Sequence, residues 1–386
     1  MAKLIDITGK ALSGEWGTDD ETGDGIPVLR TTNFTNEGIV NYNDVVTRTI
    51  TKKKIDNKFL RKGDIIIEKS GGSDKFPVGR VIYFEGEEKT YLFNNFTGLL
   101  RVKNQDVWYP RYVFYSLYAN YKRGGTRAFE NKTTGLHNLK TDDYVSRYEV
   151  AEMDKAEQIL ICEKLDKLYE IIKSRRQELQ FLDELIKARF VEMFGDPKYN
   201  KSDLVKIGEI GALTSGGTPS RAKPEYFEGD IRWYSAGELN SLYLPDSVEH
   251  ISQMALQQSS AKLFNKGTLM IGMYDTAAFK MGILTEDSSS NQACANLNPR
   301  QGFNIVWLYY LFDIMKPVFL QERQGVRQKN LSLSKIKEFE VPFAPFELQN
   351  QFADFVKQVD KSKVVVQEAL DKTQLLFDSL MQKYFG

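Results

Sequence analysis

Residues 153–194 decide the fold of this chain, and they read MDKAEQILICEKLDKLYEIIKSRRQELQFLDELIKARFVEMF, with neither glycine nor proline. Apolar residues recur in this run at an alternating spacing of four and three, which is interrupted at Arg175 and Arg189. They are Ile161, Leu165, Leu168, Ile172, Leu179, Leu182, Ile186 and Met193. This spacing predicts a long helix of the coiled-coil type. Gly195-Asp196-Pro197 is expected to end it, because glycine followed by proline terminates helices.

A second helical pattern follows Pro345. Its apolar positions are Phe352, Phe355, Val359, Val366, Leu370, Phe377, Leu380 and Tyr384. A helix of about 40 residues is about 60 Å long, and neither helix can bury a one-sided apolar stripe alone. The two helices are therefore predicted to pack against each other in antiparallel directions.

The chain also contains an internal repeat with a period of about 195 residues. FLRKGDIII (59–67) matches LFNKGTLMI (263–271), and HNLKTDDYVSRYEV (137–150) matches KNLSLSKIKEFEV (329–341). LDELIKARF (182–190) matches FDSLMQKYF (377–385), so the end of the first helix resembles the end of the second. Three matches in the same order indicate a duplicated framework with insertions and deletions in its loops.

Residue composition and periodicity divide the sequence into four segments. Residues 1–152 and 196–345 combine short β-rich runs with glycine, asparagine and threonine breakers, whereas 153–195 and 346–386 are helical. The predicted fold class is α+β. It consists of two similar globular domains separated by two long antiparallel coiled-coil helices and related by a pseudo-twofold internal repeat.

Composition sets wide limits on the type of protein. The chain has 386 residues, of which 41% are hydrophobic, and its 52 basic residues balance 52 acidic ones. It contains no apolar run of about 20 residues that could span a membrane, and its beginning, MAKLIDITGK, lacks an apolar signal core. Two cysteines, Cys162 and Cys294, fit a reducing cytoplasmic location. A net charge of zero argues against a protein that simply coats nucleic acid, but local basic patches can still bind phosphate.

Constellations of catalytic residues are missing from the sequence. The only histidines are His137 and His250, and neither a phosphate-binding glycine loop nor a metal-ligand spacing is present. We therefore expect a chain that is not itself a catalyst and binds no cofactor. His137 is interpreted as a surface histidine without a role rather than as a polar contact, and His250 as structural or exposed.

Local basic clusters favour DNA binding. The first lies between Arg48 and Lys62, and its members are Arg48, Lys52, Lys53, Lys54, Lys58, Arg61 and Lys62. The second comprises Lys122, Arg123 and Arg127 around Gly124-Gly125, and the third comprises Arg323, Arg327 and Lys329 around Gly325. A solvated surface would explain any one cluster. The equivalent positions of the second and third in the repeat favour contacts with phosphates and base edges instead.

The most distinctive stretch is TSGGTPSRAKPEYFEGDIRWYSAGEL (214–239). Gly216 and Gly217 allow a tight turn, and Trp233 is expected to be a core residue. In the first half, IPVLRTTNF (26–34) occupies the place of IRWYSAGEL (231–239). The predicted DNA-binding residues are Arg30, Thr32, Asn33, Lys53, Lys69, Ser70, Arg80, Arg127, Asn138, Thr218, Ser220, Arg221, Tyr274, Arg327, Gln328 and Asn330.

These motifs resemble the specificity subunit of type I restriction–modification enzymes. GGTPS followed by YFEGDIRW is similar to a recurrent opening of that family's target-recognition domains, although the first opening here, ALSGEWGTDDETGDG (11–25), lacks the GGTPS string. LDELIKARFVEMFGD and FDSLMQKYF are similar to the ends of its central and C-terminal spacer helices.

The resemblance implies a set of partners. Residues 1–152 and 196–345 would each read one half of a split site in double-stranded DNA, and the spacer helices would set the gap between the halves. Those helices would dock two modification subunits, which bind S-adenosylmethionine and methylate adenine N6. Restriction subunits that use ATP and Mg would join them, and no membrane would be involved. The predicted subunit-binding residues are Leu168, Ile172, Leu179, Phe355, Val359 and Leu380.

Two other functions fit the sequence less well. An enzyme of another type would need a nucleophile, a metal site or a cofactor loop, and the sequence offers none. A coiled-coil adaptor that binds only proteins would explain the helices, but it would not explain basic loops at matching places in two similar domains. Retention on heparin at moderate salt distinguishes a DNA reader from such an adaptor.

Overall fold

The structure, a computed structural model, describes residues 1–52, 55–133, 136–200, 203–323 and 330–386. The chain divides into two compact units. The first unit comprises residues 1–175 and 369–386, and the second unit comprises residues 176–368. Both mix strands and helices, so the predicted α+β class is confirmed.

In the order of the chain, the first unit has short strands both before and after a helix of 13 residues, α2. The strands are β1 (Ala2–Lys3), β2 (Leu12–Ser13), β3 (Thr18–Asp19), β4 (Ile26–Leu29), β5 (Val46–Thr49), β6 (Ile65–Glu68), β7 (Ser70–Gly72), β8 (Val81–Tyr83), β9 (Leu92–Phe93), β10 (Thr97–Leu100), β11 (Glu130–Thr133), β12 (Leu136–Leu139) and β13 (Glu149–Val150). The helices are α1 (Leu4–Thr8), α2 (Pro110–Lys122) and α3 (Thr141–Arg147). Helix α4 (Lys155–Phe194) begins in this unit.

The second unit has a similar list of elements. Its strands are β14 (Leu204–Lys206), β15 (Gly211–Ser215), β16 (Ile231–Tyr234), β17 (Asn240–Tyr243), β18 (Glu249–Ile251), β19 (Leu269–Gly272), β20 (Met281–Ile283), β21 (Ser289–Ser290), β22 (Cys294–Pro299) and β23 (Glu340–Pro342). Its helices are α5 (Ile207–Ile210), α6 (Gln253–Gln258), α7 (Ile305–Gln321) and α8 (Leu333–Glu338), and α9 (Phe346–Phe385) begins here.

The two units share one sheet plan. The strand order is β2-β10-β6-β8 in the first and β15-β22-β19-β20-β17 in the second. Each unit adds a parallel pair, β4 with β9 and β16 with β21, and a closing antiparallel pair, β1 with β13 and β14 with β23. The repeat found in the sequence therefore corresponds to one order of elements used twice.

The central strands β6 and β19 explain the apolar run that follows the repeated Lys-Gly motif. Every residue of β6 and of β19 is buried, because each strand lies between two neighbours and is covered on both faces. Such a strand reads as a continuous apolar run rather than an alternating one. Ile66 lies in the core of the first unit, and Leu269 and Ile271 lie in that of the second.

Both predicted long helices are present. Helix α4 ends at Phe194, and Gly195, at φ 76°, donates its N–H to the Val191 carbonyl at 2.8 Å. A left-handed glycine after the last turn is the expected helix end. Within the second unit α4 and α9 run antiparallel, because Phe190 packs on Phe352 while Asp183 pairs with Lys363.

The C-terminal end of each long helix packs on the helix that follows the central sheet strands in one unit, which is α2 in the first unit and α7 in the second. Phe385 at the end of α9 contacts Tyr112 of α2, with ring centroids 5.1 Å apart. Phe190 near the end of α4 contacts Trp307 of α7 at 6.3 Å. The matching ends of LDELIKARF and FDSLMQKYF are thus explained, since both phenylalanines fill the same place in a unit.

A buried glutamine fixes the start of each long helix. Gln158 of α4 accepts from the Tyr109 N–H at 2.8 Å and donates to the carbonyls of Val107 and Met153, each at 3.0 Å. Tyr109 precedes the first residue of α2, so this side chain joins the two helix starts.

The second unit repeats this arrangement at the start of α9. Gln349 accepts from the Asn304 N–H at 2.8 Å and donates to the carbonyls of Ala344 and Gly302 at 2.7 and 3.3 Å. Asn304 caps α7.

The described residues contain neither a candidate membrane span nor a cluster of metal-ligating side chains. None of the helices there combines the length and apolarity that crossing a bilayer demands. In the same ranges, no three acidic, histidine or cysteine side chains come together as a metal site would require.

Candidate nucleic-acid interface

In the first unit, Lys69 brings three loops together at one end of the sheet. Its backbone N–H donates to the Phe96 carbonyl at 2.8 Å, and its carbonyl accepts from the Leu139 N–H at 2.9 Å. Its Nζ donates to the Ser13 hydroxyl at 3.0 Å. We call this surface the first loop edge; it comprises Ser13 and the segments 69–77, 94–96 and 136–139, which include the short strands β7 and β12.

The second unit builds an equivalent surface around Met273. Its N–H donates to the Ala293 carbonyl at 2.9 Å, and its carbonyl accepts from the Leu331 N–H at 2.8 Å. Thr218 donates its hydroxyl to the Gln292 side chain. We call this surface the second loop edge; it comprises the loops 215–220, 273–277 and 291–293 together with residues 330 and 331.

Several predicted DNA-binding residues lie on these edges. Ser70 and Asn138 are Cα partners on β7 and β12. Tyr274 is exposed, and the neighbouring Asp275 donates its N–H to the Asn330 side chain at 3.0 Å. The first loop edge therefore contains Lys69, Ser70 and Asn138, and the second contains Thr218, Ser220, Tyr274 and Asn330.

Lys69 carries a charge that burial disfavours. Desolvation lowers the pKa of Lys69 below its ordinary value, and the carboxylate of Asp142 opposes that shift. An anion placed beside this ammonium would favour its charged form. A DNA phosphate is such an anion, so the half-buried lysine fits a phosphate contact.

Arg127 holds a loop of the first loop edge. Its Nη2 donates to the carbonyls of Asp74 and Lys75 at 3.2 and 3.4 Å. The turn is closed by the Ser73 N–H, which donates to the Phe76 carbonyl at 2.7 Å. Arg127 is exposed, so its guanidinium reaches solvent while it fixes this loop.

The candidates near residue 30 mostly serve the fold. Asn33 is 1% exposed and donates to the Asn41 carbonyl at 3.0 Å while accepting from the Arg30 N–H at 2.9 Å. Arg30 pairs with Asp44 at 3.1 Å. Thr32 is the exposed candidate of this group.

Arg80 also makes internal contacts. Its guanidinium donates to the carbonyls of Thr31 and Phe34, each at 3.0 Å, and it pairs with Glu68 at 3.3 Å. Burial raises the pKa of the Glu68 carboxyl, and Arg80 opposes that shift. Arg80 thus neutralises a buried acid and ties the 31–34 turn to the central sheet.

The GGTPS stretch is held by packing. A Cβ on Gly217 would lie 2.0 Å from the Ser260 carbonyl oxygen, so only glycine fits there. Trp233 is buried, as predicted, and its indole N–H donates to the Gly217 carbonyl at 3.0 Å. Arg221 pairs with Glu249 and lies over the Phe227 ring at 4.3 Å.

The basic clusters are partly neutralised. Glu15 accepts from Lys52 and Lys58, and hydrogen bonds from these lysines lower its pKa. Arg48 pairs with Asp19 and lies over Trp16 at 4.2 Å. Predicted contacts at Lys53, Arg327 and Gln328 lie outside the described residues, as do Lys54, Gly325 and Lys329.

The interpretation of His137 as a surface residue is wrong. Its ring is buried on β12, where Nδ1 lies 3.0 Å from the Glu130 carboxylate and Nε2 lies 3.5 Å from Asp74. Sequence alternation did not reveal this, because β12 is short and its second partner strand, β7, lies far away in the chain. His250, by contrast, is half-buried and pairs with Asp246 at 3.0 Å.

Sequence reasoning missed Ser13, Phe76, Phe96 and Gln292 on the two edges. FNNFTG (93–98), which contains Phe96, aligns with SNQACA (290–295), which contains Gln292, once β9 and β10 are matched to β21 and β22. The alignment has no shared apolar pattern, so only the strand pairing exposes it.

The predicted subunit-binding residues lie mostly inside the units. Ile172 and Val359 are buried, and Leu168, Leu179, Phe355 and Leu380 are partly buried. Other apolar residues of the long helices are exposed. They are Leu160, Ile171, Phe181, Leu185, Val191, Phe346, Leu348, Val364, Val365, Leu375 and Leu376.

Part of the sequence is similar to known specificity subunits. Residues 199–372 match the family described as "Type I restriction modification DNA specificity domain". The chain is 29% identical over 181 residues to the type I restriction enzyme MjaIX specificity subunit of Methanocaldococcus jannaschii, covering 45% of this chain and 42% of that protein. It is 22% identical over 175 residues to the EcoR124I/EcoR124II specificity subunit of Escherichia coli, covering 43% of each. The match spans less than half of the length of either relative.

Comparison with solved structures supports the fold over the whole chain. The S subunit of a type I restriction–modification system from M. genitalium superposes with a TM-score of 0.58 at 16% identity, covering 100% of this chain and 95% of that one. A chain from a structure of type I restriction–modification complex assembly gives 0.58 at 14%, covering 100% and 96%. Residues 199–372 therefore resemble the type I restriction–modification DNA specificity domain family in sequence, and the whole chain shares the fold of the M. genitalium S subunit.

Proposed function

We propose that this chain is the DNA-sequence-reading subunit of a type I restriction–modification complex. The observation that carries the proposal is the presence of a loop edge at the same place in both units, built by equivalent backbone hydrogen bonds at Lys69 and Met273. Two equivalent surfaces with different side chains are what a reader of two different half-sites needs. Each wrong base pair would cost about 1–3 kcal/mol, so two readers multiply their selectivities.

Residues 1–152 and 196–345 are proposed as the two target-recognition domains, with 153–195 and 346–386 as spacer helices. Polar side chains on the edges, such as Ser70, Asn138 and Tyr274, would contact base edges, and Lys69 would contact phosphate. A net charge of zero is compatible with this function because screening makes phosphate attraction local.

The partners follow from the same proposal. Two modification subunits that bind S-adenosylmethionine would dock on the long helices, where apolar side chains such as Phe181 and Val365 are exposed. Restriction subunits using ATP and Mg would complete the complex. The chain itself would perform no chemistry and bind no cofactor, and it would act in the cytoplasm.

The decisive test is co-expression with the neighbouring genes, followed by sequencing of methylated bases in the host DNA. We expect a split adenine-methylated motif that disappears when this gene is deleted. Exchange of residues 203–345 for the corresponding part of another such subunit should change one half of the motif and leave the other. If no modified motif depends on this gene, a coiled-coil adaptor that binds only proteins becomes the better account.

A further inference from the structure

Two phenylalanines are exposed on the first loop edge. Phe96 is 54% exposed on the loop between β9 and β10, and Phe76 is 56% exposed on the loop after β7. Their backbones bond to the two ends of the segment 69–73, since the Phe96 carbonyl accepts from Lys69 and the Phe76 carbonyl accepts from Ser73. The two rings therefore flank the segment that carries Lys69 and Ser70, which the proposed function uses.

Both rings are presented by anchored backbone. The loop of Phe76 is fixed by Arg127 and by the Val78 N–H, which donates to Glu130 at 3.0 Å. The loop of Phe96 is closed by the Thr97 N–H and hydroxyl, which donate to the Asn94 carbonyl at 3.1 and 2.8 Å. Because the backbone of both loops is already fixed, binding of a partner to these rings costs little further conformational entropy of the loops.

The neighbouring charges favour a polyanion. Lys69 adjoins Phe96, and Lys75 lies over the Phe76 ring at 5.3 Å. Arg127 is also exposed and donates to the backbone carbonyl of Asp74 on this edge, while the Asp74 carboxylate lies 3.5 Å from the ring of His137.

We propose that Phe96, together with Phe76, reads thymine C5-methyl groups in the half-site bound by the first unit. A phenyl ring has no donor or acceptor for base edges, and the thymine methyl is the apolar feature that the major groove offers. The inference rests on the proposed function and deepens it, because it names the base feature that one unit selects.

The second unit has a different character at the equivalent place. Ala293 occupies the position of Phe96, since its carbonyl accepts from Met273 as that of Phe96 accepts from Lys69. The exposed Gln292 and the hydroxyl of Tyr274 give this edge polar contacts. Methyl dependence is therefore expected in the first half-site and not in the second.

The test uses the full chain co-purified with its modification subunits and a duplex carrying the motif found by methylome sequencing. Exchange of residues 203–345 first assigns each half of the motif to a unit. Thymine is then replaced by uracil, which lacks the methyl, in one half at a time. We expect uracil in the first half-site to weaken binding roughly threefold to tenfold, and uracil in the second to leave it unchanged.

A double-mutant cycle that combines Phe96→Ala with the replacement of thymine by uracil tests the contact between the ring and the methyl group directly. This variant should bind thymine and uracil duplexes equally, and Phe96→Leu should keep part of the discrimination. Val107→Ala, an exposed apolar residue near the start of α2, is the matched control and should discriminate like the original chain.

The outcomes separate the two proposals. If the complex binds no sequence specifically, the proposed function fails. If it binds specifically but Phe96→Ala and Phe76→Ala keep full uracil discrimination, or none exists to begin with, the thymine inference is overturned. A loss of binding that is independent of the methyl and accompanied by unstacking of a 2-aminopurine probe would assign the rings as a wedge between bases, and this also overturns it.

Discussion

Gln158 and Gln349 occupy equivalent places, and each satisfies backbone groups on two segments of its unit. Gln349→Leu fills a similar volume but leaves the Asn304 N–H and the Ala344 carbonyl without their partner. We expect the second unit to lose about 2–3 kcal/mol of unfolding free energy, measured by urea denaturation. Gln180→Leu is the control, because Gln180 is exposed on α4, where its side chain donates to Glu184 one turn away. Equal midpoints for the two variants would contradict the role assigned to Gln349.

The Glu68–Arg80 pair predicts a pH dependence. A carboxyl whose folded pKa is raised loses stability as pH rises from its unfolded to its folded pKa, and Arg80 limits that loss by favouring the ionised form. Arg80→Ala should raise the Glu68 pKa further, so its destabilisation, about 3 kcal/mol at neutral pH, should be smaller at pH 5. Unfolding midpoints at the two pH values measure this. A pH-independent loss would mean that the hydrogen bonds to Thr31 and Phe34 carry the whole effect.

At the scale of elements, each unit depends on the end of a helix. Phe190→Ala removes a ring buried against Trp307 and Phe352, and we expect it to cost about 3–5 kcal/mol. Phe181→Ala on the same helix should change the unfolding free energy little, because Phe181 is exposed. Similar losses for both variants, measured by thermal or chemical denaturation, would contradict the packing described here.

The GGTPS loop can be tested in the same way. Gly217→Ala forces a Cβ toward the Ser260 carbonyl and should destabilise the second unit by about 1–3 kcal/mol. Gly237→Ala is the control, because the nearest atom to its Cβ would be 3.8 Å away. A stable Gly217→Ala protein with altered DNA binding would instead assign this glycine to the DNA contact.

At the scale of the whole molecule, the net charge is zero, so the proposed DNA binding would depend on local basic patches. Binding of a target duplex should weaken as salt rises, and Lys69→Ala should reduce the slope of log affinity against log salt by about 1. Lys173→Ala is the control, since Lys173 lies on α4 beside Glu170. A slope that Lys69→Ala leaves unchanged would remove Lys69 from the phosphate contacts.

The sequence alone determined the long helices, the repeat and the α+β class, because each depends on local spacing. Apolar residues at helical spacing, Gly195 after the last turn and the Lys-Gly motif before each central strand are readable without distant contacts. The helix ends were also matched correctly, since Phe190 and Phe385 lie in aligned motifs.

Only the tertiary structure decided the roles of individual polar residues. Asn33 and Arg80 make internal hydrogen bonds, His137 is buried against Glu130, and Phe96 stands exposed beside Lys69. Whether a side chain faces solvent or a buried partner depends on strand pairings between residues far apart in the chain. Local sequence carries no record of those pairings. It located the repeated framework and some residues of the two loop edges, such as Lys69 and Tyr274, but it did not separate exposed side chains from those that serve the fold.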